Sequence, residues 1–160
     1  MRRRALLGLG LGIPALAQAQ PAPWPTRPIR VVVAWPAGGG VDTPTRLVAG
    51  PMGRFLGQPL VLENRGGATG SIGQAEAARA APDAQTLLLA TNGTQAANVA
   101  LFATLAYDPV RDFAPITLLT NYPQIVAVAD WPAEKTFQGL VAALRARREP
   151  ASFGSSGQGS

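Results

Sequence analysis

A run of β-branched and almost wholly apolar residues, Ile29 to Trp35 (IRVVVAW), narrows the folds open to this chain. A strand with one wet face alternates apolar and polar residues. This one does not, so it is predicted to be buried on both faces, as in the middle of a parallel sheet. Parallel strands need crossovers, and the sequence supplies one at once. Pro36-Ala37-Gly38-Gly39-Gly40 ends the strand, and Asp42 to Gly57 (DTPTRLVAGPMGRFLG) reads as a helix. Asp42 is the expected N-cap, with Pro44 in the first turn where a missing N–H costs little. Leu47, Val48, Met52, Phe55 and Leu56 recur at helical spacing, and Gly50-Pro51 predicts a kink or interruption.

The same alternation continues. Gln58 to Glu63 is a second short strand, Asn64 to Gly73 a Gly-rich loop, and Gly73 to Ala81 an Ala-rich helix. Thr86 to Ala90 is a third strand, followed by the polar loop Thr91 to Thr94 and a helical piece around Gln95 to Ala103. Beyond the turn at Tyr107-Asp108-Pro109, Ala114 to Thr120, Ile125 to Ala129 and Ser152-Phe153-Gly154 read as further strands. Thr136 to Arg148 reads as an amphipathic helix with Phe137, Leu140, Val141 and Leu144 on one face. This order describes an α/β fold with an open parallel sheet.

The pI of about 11.0 invites a nucleic-acid reading, which fails once the N-terminus is considered. Met1-Arg2-Arg3-Arg4, the apolar run Ala5 to Ala17 and the small residues Ala17 and Ala19 form the n-region, h-region and A-x-A pattern of a secretory signal peptide. Residues 1–19 are therefore expected to be cleaved near Ala19, with Ala15-Leu16-Ala17 as the alternative site. Export is by the Sec route, or by the Tat route that an arginine pair permits. Removing three arginines takes the formal net charge from +5 to +2, so no nucleic-acid partner is expected. Gln20 to Pro28 is a Pro-rich, extended lead-in.

The chain has no histidine and no cysteine. That removes Ser-His and Cys-His nucleophile pairs, zinc sites of the usual ligands and disulfides. The nine acidic residues are scattered, so no metal site and no cofactor are expected. The only lysine, Lys135, lies in no phosphate-binding loop, and Gly67, Gly70 and Gly73 are wrongly spaced for a dinucleotide fingerprint. Gly154-Ser155-Ser156 approaches a hydrolase elbow, but Gln158 stands where its last glycine belongs, and no base is available. The expectation is a binding protein, not an enzyme.

Three polar loops each follow a short apolar strand: Pro36 to Asp42, Thr91 to Thr94, and Ser155 to Ser160. In open α/β sheets ligands sit beyond the carboxyl ends of the strands. Gly38-Gly39-Gly40 bares backbone N–H groups just before a helix, where the dipole favours an anion. Asn92, Thr94, Ser155 and Ser156 add neutral hydrogen bonds, and a small carboxylate or phosphate suits the set. A plain turn at the glycines and a plain helix cap at Asp42 are the alternative readings of the same residues.

Trp24-Pro25-Thr26-Arg27-Pro28-Ile29-Arg30, then Trp35-Pro36-Ala37-Gly38-Gly39-Gly40-Val41-Asp42, resembles the opening of the Bug family of tripartite tricarboxylate transporter substrate-binding proteins. The resemblance continues through Leu56-Gly57-Gln58-Pro59, Glu63-Asn64-Arg65, Ala81-Pro82-Asp83 and Tyr107 to Pro115, and on to Ser155-Ser156-Gly157-Gln158-Gly159-Ser160. It implies a type II periplasmic-binding-protein fold of two lobes (Venus flytrap), located in the periplasm. On this reading residues 20–120 are the N-terminal part of lobe 1, and residues 121–160 the start of an incomplete lobe 2. The ligand implied is a small carboxylate: a di- or tricarboxylate, an amino acid or an aromatic acid. Transfer to the membrane subunits of such a transporter is the implied role, with sensing through a membrane sensor kinase as the alternative.

Carried over by motif, the ligand-binding residues are Trp35 as a pocket wall, Ala37, Gly38, Gly39, Gly40 and Asp42 in the first loop, Asn92 and Thr94 in another, and Ser155, Ser156 and Gly157 from lobe 2. Asp42 is implied to act through its cap and a bridging water. Trp35 replaces the family's usual Phe, Ala37 a Pro, and Gly66 a Pro. Family members are longer, so the resemblance also implies a fragment or a truncated gene product, non-functional if it cannot bind alone.

Overall fold

The computed structural model describes residues 24–123, 125–129 and 135–155. The leader peptide, Trp131, Ser156 and Gly157 lie outside them. The expected strand is β1 (Ile29–Val33), at the centre of a three-stranded sheet ordered β2-β1-β3, with β2 Leu60–Asn64 and β3 Thr86–Leu89. Both pairings are parallel. Ile29 sits opposite Leu60, and Val31 opposite Leu62 and Leu87. Ile29, Val31, Val32, Val33 and Ala34 are the driest apolar side chains among the described residues. A strand flanked on two edges and covered on two faces has no wet side, which is why its sequence does not alternate.

The crossovers are α1 (Asp42–Leu56) and α2 (Ser71–Ala78), the latter entered through a 3-10 turn at Ala68–Gly70. After β3 the chain winds into a π-helical turn, Gly93–Ala97, which continues as α3 (Asn98–Leu101). Helix α4 (Phe137–Ala146) is capped by Thr136, whose Oγ1 accepts the Gly139 N–H at 3.0 Å. Leu140 is buried, whereas Phe137 and Leu144 are exposed.

Three expectations are corrected. Gly50-Pro51 does not interrupt α1, which runs through Pro51; Pro51 is exposed, so water can serve the carbonyl its ring leaves free. The apolar spacing of α1 marks its buried stripe only in part: Met52 and Leu56 lie in it, but Leu47 is 72% and Phe55 89% exposed. The less exposed stripe is Thr45, Ala49, Met52 and Leu56; with about 100° per residue, Phe55 lies a quarter turn from it and Leu47 nearly opposite. Lastly, Ala114 to Thr120, Ile125 to Ala129 and Ser152 to Gly154 form no strands among the described residues. Ile116, Leu118, Ile125 and Phe153 stand in solvent. Apolar patterning makes a segment fit for a sheet, but a strand exists only when a neighbour's edge takes up its N–H and C=O groups.

One side chain of β1 is charged. Arg30 pairs with Glu63 of β2 at 2.9 Å and with Glu76 of α2, while Arg65 reaches Glu63 at 3.1 Å and Glu76 at 3.4 Å. Two cations and two carboxylates thus tie β1, β2 and α2 together. The Arg30 hydrogen bond holds the Glu63 carboxyl below its usual range, and the two carboxylates raise the Arg30 pKa.

Candidate functional site

A parallel sheet sends all its strands out at one edge, so the loops after β1, β2 and β3 emerge together. Their contact is close. A Cβ added at Gly70 would lie 2.7 Å from Thr94 Cγ2 and 3.3 Å from the Ala34 carbonyl oxygen. One added at Gly73 would lie 2.7 Å from the Arg65 carbonyl oxygen and 2.9 Å from Ala34 Cα. The β2 loop therefore lies against the ends of β1 and β3 because glycine occupies both positions.

In the first loop, the chain turns back at Gly38 (φ +80). The Gly38 N–H donates to Asp42 Oδ2 at 2.8 Å, and the Gly39 N–H to the Pro36 carbonyl at 3.4 Å. Two of the three glycine amides are thus used within the loop. Gly40 is exposed, and a Cβ there would meet nothing within 4 Å. Ala37 is exposed beside it.

Asp42 departs from its expected role as N-cap. Val41 holds the cap position, and Asp42 is the first residue of α1, 1% exposed. Its carboxylate is occupied on both oxygens. Oδ2 accepts from Gly38 and from Arg46 Nε at 2.7 Å, and Oδ1 accepts from Asn64 Nδ2 at 2.9 Å. The Arg46 hydrogen bond, then those from Gly38 and Asn64, hold this carboxyl far below the usual carboxylate range despite its burial. Asn64 also donates to the Trp35 carbonyl at 3.0 Å and accepts from Arg46 NH2 at 3.0 Å. Asp42, Arg46 and Asn64 form one clamp on the first loop. The carboxylate beside the glycines is neutralised by Arg46, so an incoming anion meets little repulsion from it.

Trp35 is half-buried at the end of β1, and its indole N–H is buried with no acceptor among the described residues. In the third loop Asn92 is exposed, its Oδ1 accepting from the Gly93 N–H at 3.0 Å. Thr94 is fully buried, and its hydroxyl is bonded to Thr91 and Gln74 rather than presented at the surface. Ser155 lies in an exposed, irregular stretch; Ser156 and Gly157 fall outside the described residues. The stretches Trp35 to Asp42 and Asn92 to Thr94 follow the adjacent parallel strands β1 and β3, at the same end of the sheet.

Asn64, Gln74 and Asn98 carry no local mark of their roles in the sequence. Gln74 and Asn98 are fully buried. Asn98 Nδ2 donates to the Thr69 carbonyl at 3.2 Å, and the Tyr107 hydroxyl donates to the Thr94 carbonyl at 2.5 Å. The one available hint is that Gln74 follows Gly70 and Gly73, small residues that mark a close approach of backbone.

Neither of two surface cavities is lined by the first or the third of these loops. One of about 510 Å³ sits beside Gly53, Arg54 and Leu60, at the amino end of β2. That is the wrong end of a parallel sheet for a ligand site. The other, about 330 Å³, lies between α2 and the stretch Phe102 to Ala106. Among the described residues no group of three or more acidic side chains could hold a metal ion, and no helix is long and apolar enough to cross a membrane.

The chain is similar to several known proteins. Residues 45–160 match the model of the tripartite tricarboxylate transporter family receptor, TctC. A UPF0065 protein from the TAR-I ttuE-ttuC' intergenic region of Agrobacterium vitis is 41% identical over 147 residues, covering 92% of this chain and 42% of that protein. Among solved structures, MatC from Rhodopseudomonas palustris, with bound malate, is 46% identical with a TM-score of 0.58, over 60% of this chain and 33% of MatC. The periplasmic binding protein BugD is 40% identical with a TM-score of 0.56, over 58% of this chain and 31% of BugD. The chain spans about half the length of the curated relatives it matches, or somewhat less. Its fold is that of part of a periplasmic binding protein, α/β with a parallel sheet. By the family match and these likenesses, the chain belongs to the tripartite tricarboxylate transporter receptor family and is similar to the Bug-type binding protein BugD.

Proposed function

We propose that this chain supplies the first-lobe half of a carboxylate site in an exported solute-binding protein, and that its role is capture and release rather than catalysis. On this reading residues 20–120 belong to lobe 1 and residues 121–160 begin lobe 2. The protein works in the periplasm after loss of residues 1–19, and passes its ligand to membrane transporter subunits. The reading is carried by the placing of the Gly38–Gly40 loop and Asn92 after adjacent parallel strands, in a chain similar to a malate-bound protein. The Gly40 amide, the exposed Asn92 amide and the Trp35 ring are the groups proposed to meet the ligand. Ser155, Ser156 and Gly157 are proposed to close it from the other side. A small dicarboxylate fits neutral donors beside a helix N-terminus, because hydrogen bonds to a charged acceptor are the strong ones.

Titration with malate, followed amide by amide by NMR, tests the proposal even where affinity is weak. Saturable shifts confined to Gly38–Gly40 and Asn92–Gly93 are expected, and diffuse shifts, or none, overturn it. Gly40→Ala sharpens the test. With open space around that position, the substitution is expected to change stability by no more than about 0.5 kcal/mol. It is also expected to weaken malate binding about tenfold, by setting a methyl where the ligand approaches the backbone. Unchanged binding in Gly40→Ala argues against a ligand at this loop.

A further inference from the structure

We infer that Gln74 is a positioning residue for the candidate carboxylate site, holding the loop that carries Asn92 from a neighbouring element through Thr94. The inference rests on the function proposed above for its ligand, but the hydrogen-bond geometry that carries it does not. Gln74 lies on α2, is fully buried, and donates from Nε2 to Thr94 Oγ1 at 3.0 Å. Its Oε1 accepts from Gln95 Nε2 at 2.8 Å. One side chain thus grips the turn after β3 at two successive residues.

The Thr94 hydroxyl has one hydrogen and two lone pairs. Its hydrogen is directed to the Thr91 carbonyl at 3.1 Å, and the lone pairs take the Thr91 N–H at 3.0 Å and the Gln74 amide. All three capacities are used, so Thr94 acts as a knot closing Thr91 to Thr94 on itself. Gln74 is the only group from outside β3 and its following turn among those partners. Asn92 stands at the exposed crest of the same loop. The loop adds its own constraint, because its π-helical turn lets the Asn98 N–H reach the Gly93 carbonyl. Fixing Thr94 from α2 holds the turn that carries the exposed Asn92, whose Oδ1 accepts the Gly93 N–H. Such support decides whether a binding group is preorganised or must be ordered by the ligand.

Gln74→Met keeps the length of the side chain and removes both hydrogen bonds. Amide hydrogen exchange on the whole chain is the primary readout. The Thr91 amide, bonded to Thr94 Oγ1, should exchange about tenfold faster, while Val32 in the centre of the sheet stays within about twofold of wild type. The malate dissociation constant should rise about tenfold in the same variant, the equivalent of one lost buried hydrogen bond. Gln74→Glu supplies the rescue: the neutral carboxyl can donate to Thr94 and the ionised one cannot, so the Thr91 protection factor, taken against the intrinsic exchange rate at each pH, should return toward wild type as the acid protonates. Thr91 protection unchanged in Gln74→Met overturns the inference, as does a loosened loop with malate affinity intact. If the wild-type chain shows no malate-dependent shifts, the function proposed above fails, and Thr91 protection alone decides whether Gln74 holds the loop.

Discussion

Gly73→Ala is expected to lower the unfolding free energy by about 1–2 kcal/mol, although it places the best helix former inside a helix. The propensity gain is real, about 1 kcal/mol for Gly to Ala within a helix. Against it stands the methyl itself, 2.7 Å from the Arg65 carbonyl oxygen and 2.9 Å from Ala34 Cα. Both are backbone atoms of segments fixed in the sheet and its loops, so relief requires α2 to move off β1. Overpacking of this kind costs about 1–3 kcal/mol and occasionally more, and moving α2 would also disturb the Arg30–Glu76 pair. Urea unfolding measures the result, with Gly40→Ala as the control substitution of equal chemistry in open space. A midpoint for Gly73→Ala at or above wild type contradicts the packing described.

Asp42→Asn is expected to cost about 2 kcal/mol at neutral pH. The carboxamide keeps one acceptor, but the charge-assisted bond to Arg46 becomes a neutral one and an NH2 group is placed among donors. Arg46 is half-exposed and regains water, which keeps the loss below that of a fully buried ion pair. The pH dependence gives the sharper signature. The Asp42 pKa is depressed in the folded chain, first by Arg46, then by Gly38 and Asn64. Between the folded and unfolded pKa values the unfolded chain binds more protons, so stability rises with pH there. The contribution is complete above about pH 5 and is lost as pH falls through the ordinary carboxylate range toward the folded value. The stability gap between wild type and Asp42→Asn should therefore be constant from neutral pH to about pH 5 and narrow below it. A gap that stays constant into strong acid shows that the carboxylate is not held as described.

Features with a local cause were readable in the sequence. β1 was legible because burial on both faces removes the need for alternation, and the Gly38–Gly40 break marks its end. The β-α order and the parallel sheet followed from the same regularity. Features set by distant partners were not. Asp42 before a helix has the local sequence of a cap, yet two of its partners are the preceding glycine loop and Asn64 of β2. No spacing rule links a helix start to the end of the next strand. Leu47, Phe55, Met52 and Leu56 spread over about half the circumference of α1, and only the sheet's position decides which of them are covered. Ala114 to Thr120 has the composition of a strand but no edge to join among the described residues. Gln74 and Asn98 are polar residues in small-residue helices, where sequence favours a wet face; their burial follows from the Thr94, Thr69 and Tyr107 groups waiting for them.

The sheet order also sets a timetable for synthesis. β1 lies between its two partners but precedes both in the chain. A nascent polypeptide can form the turns of α1 as soon as they emerge, within microseconds. Val31 to Val33, however, stay unshielded on one edge until Leu60–Asn64 has been made, and on the other until Thr86–Leu89 follows. Contacts so far apart in sequence close slowly. Throughout that interval the most apolar segment of the fold is open to chaperones, and a ribosome that stops before Leu89 releases a product with an aggregation-prone edge.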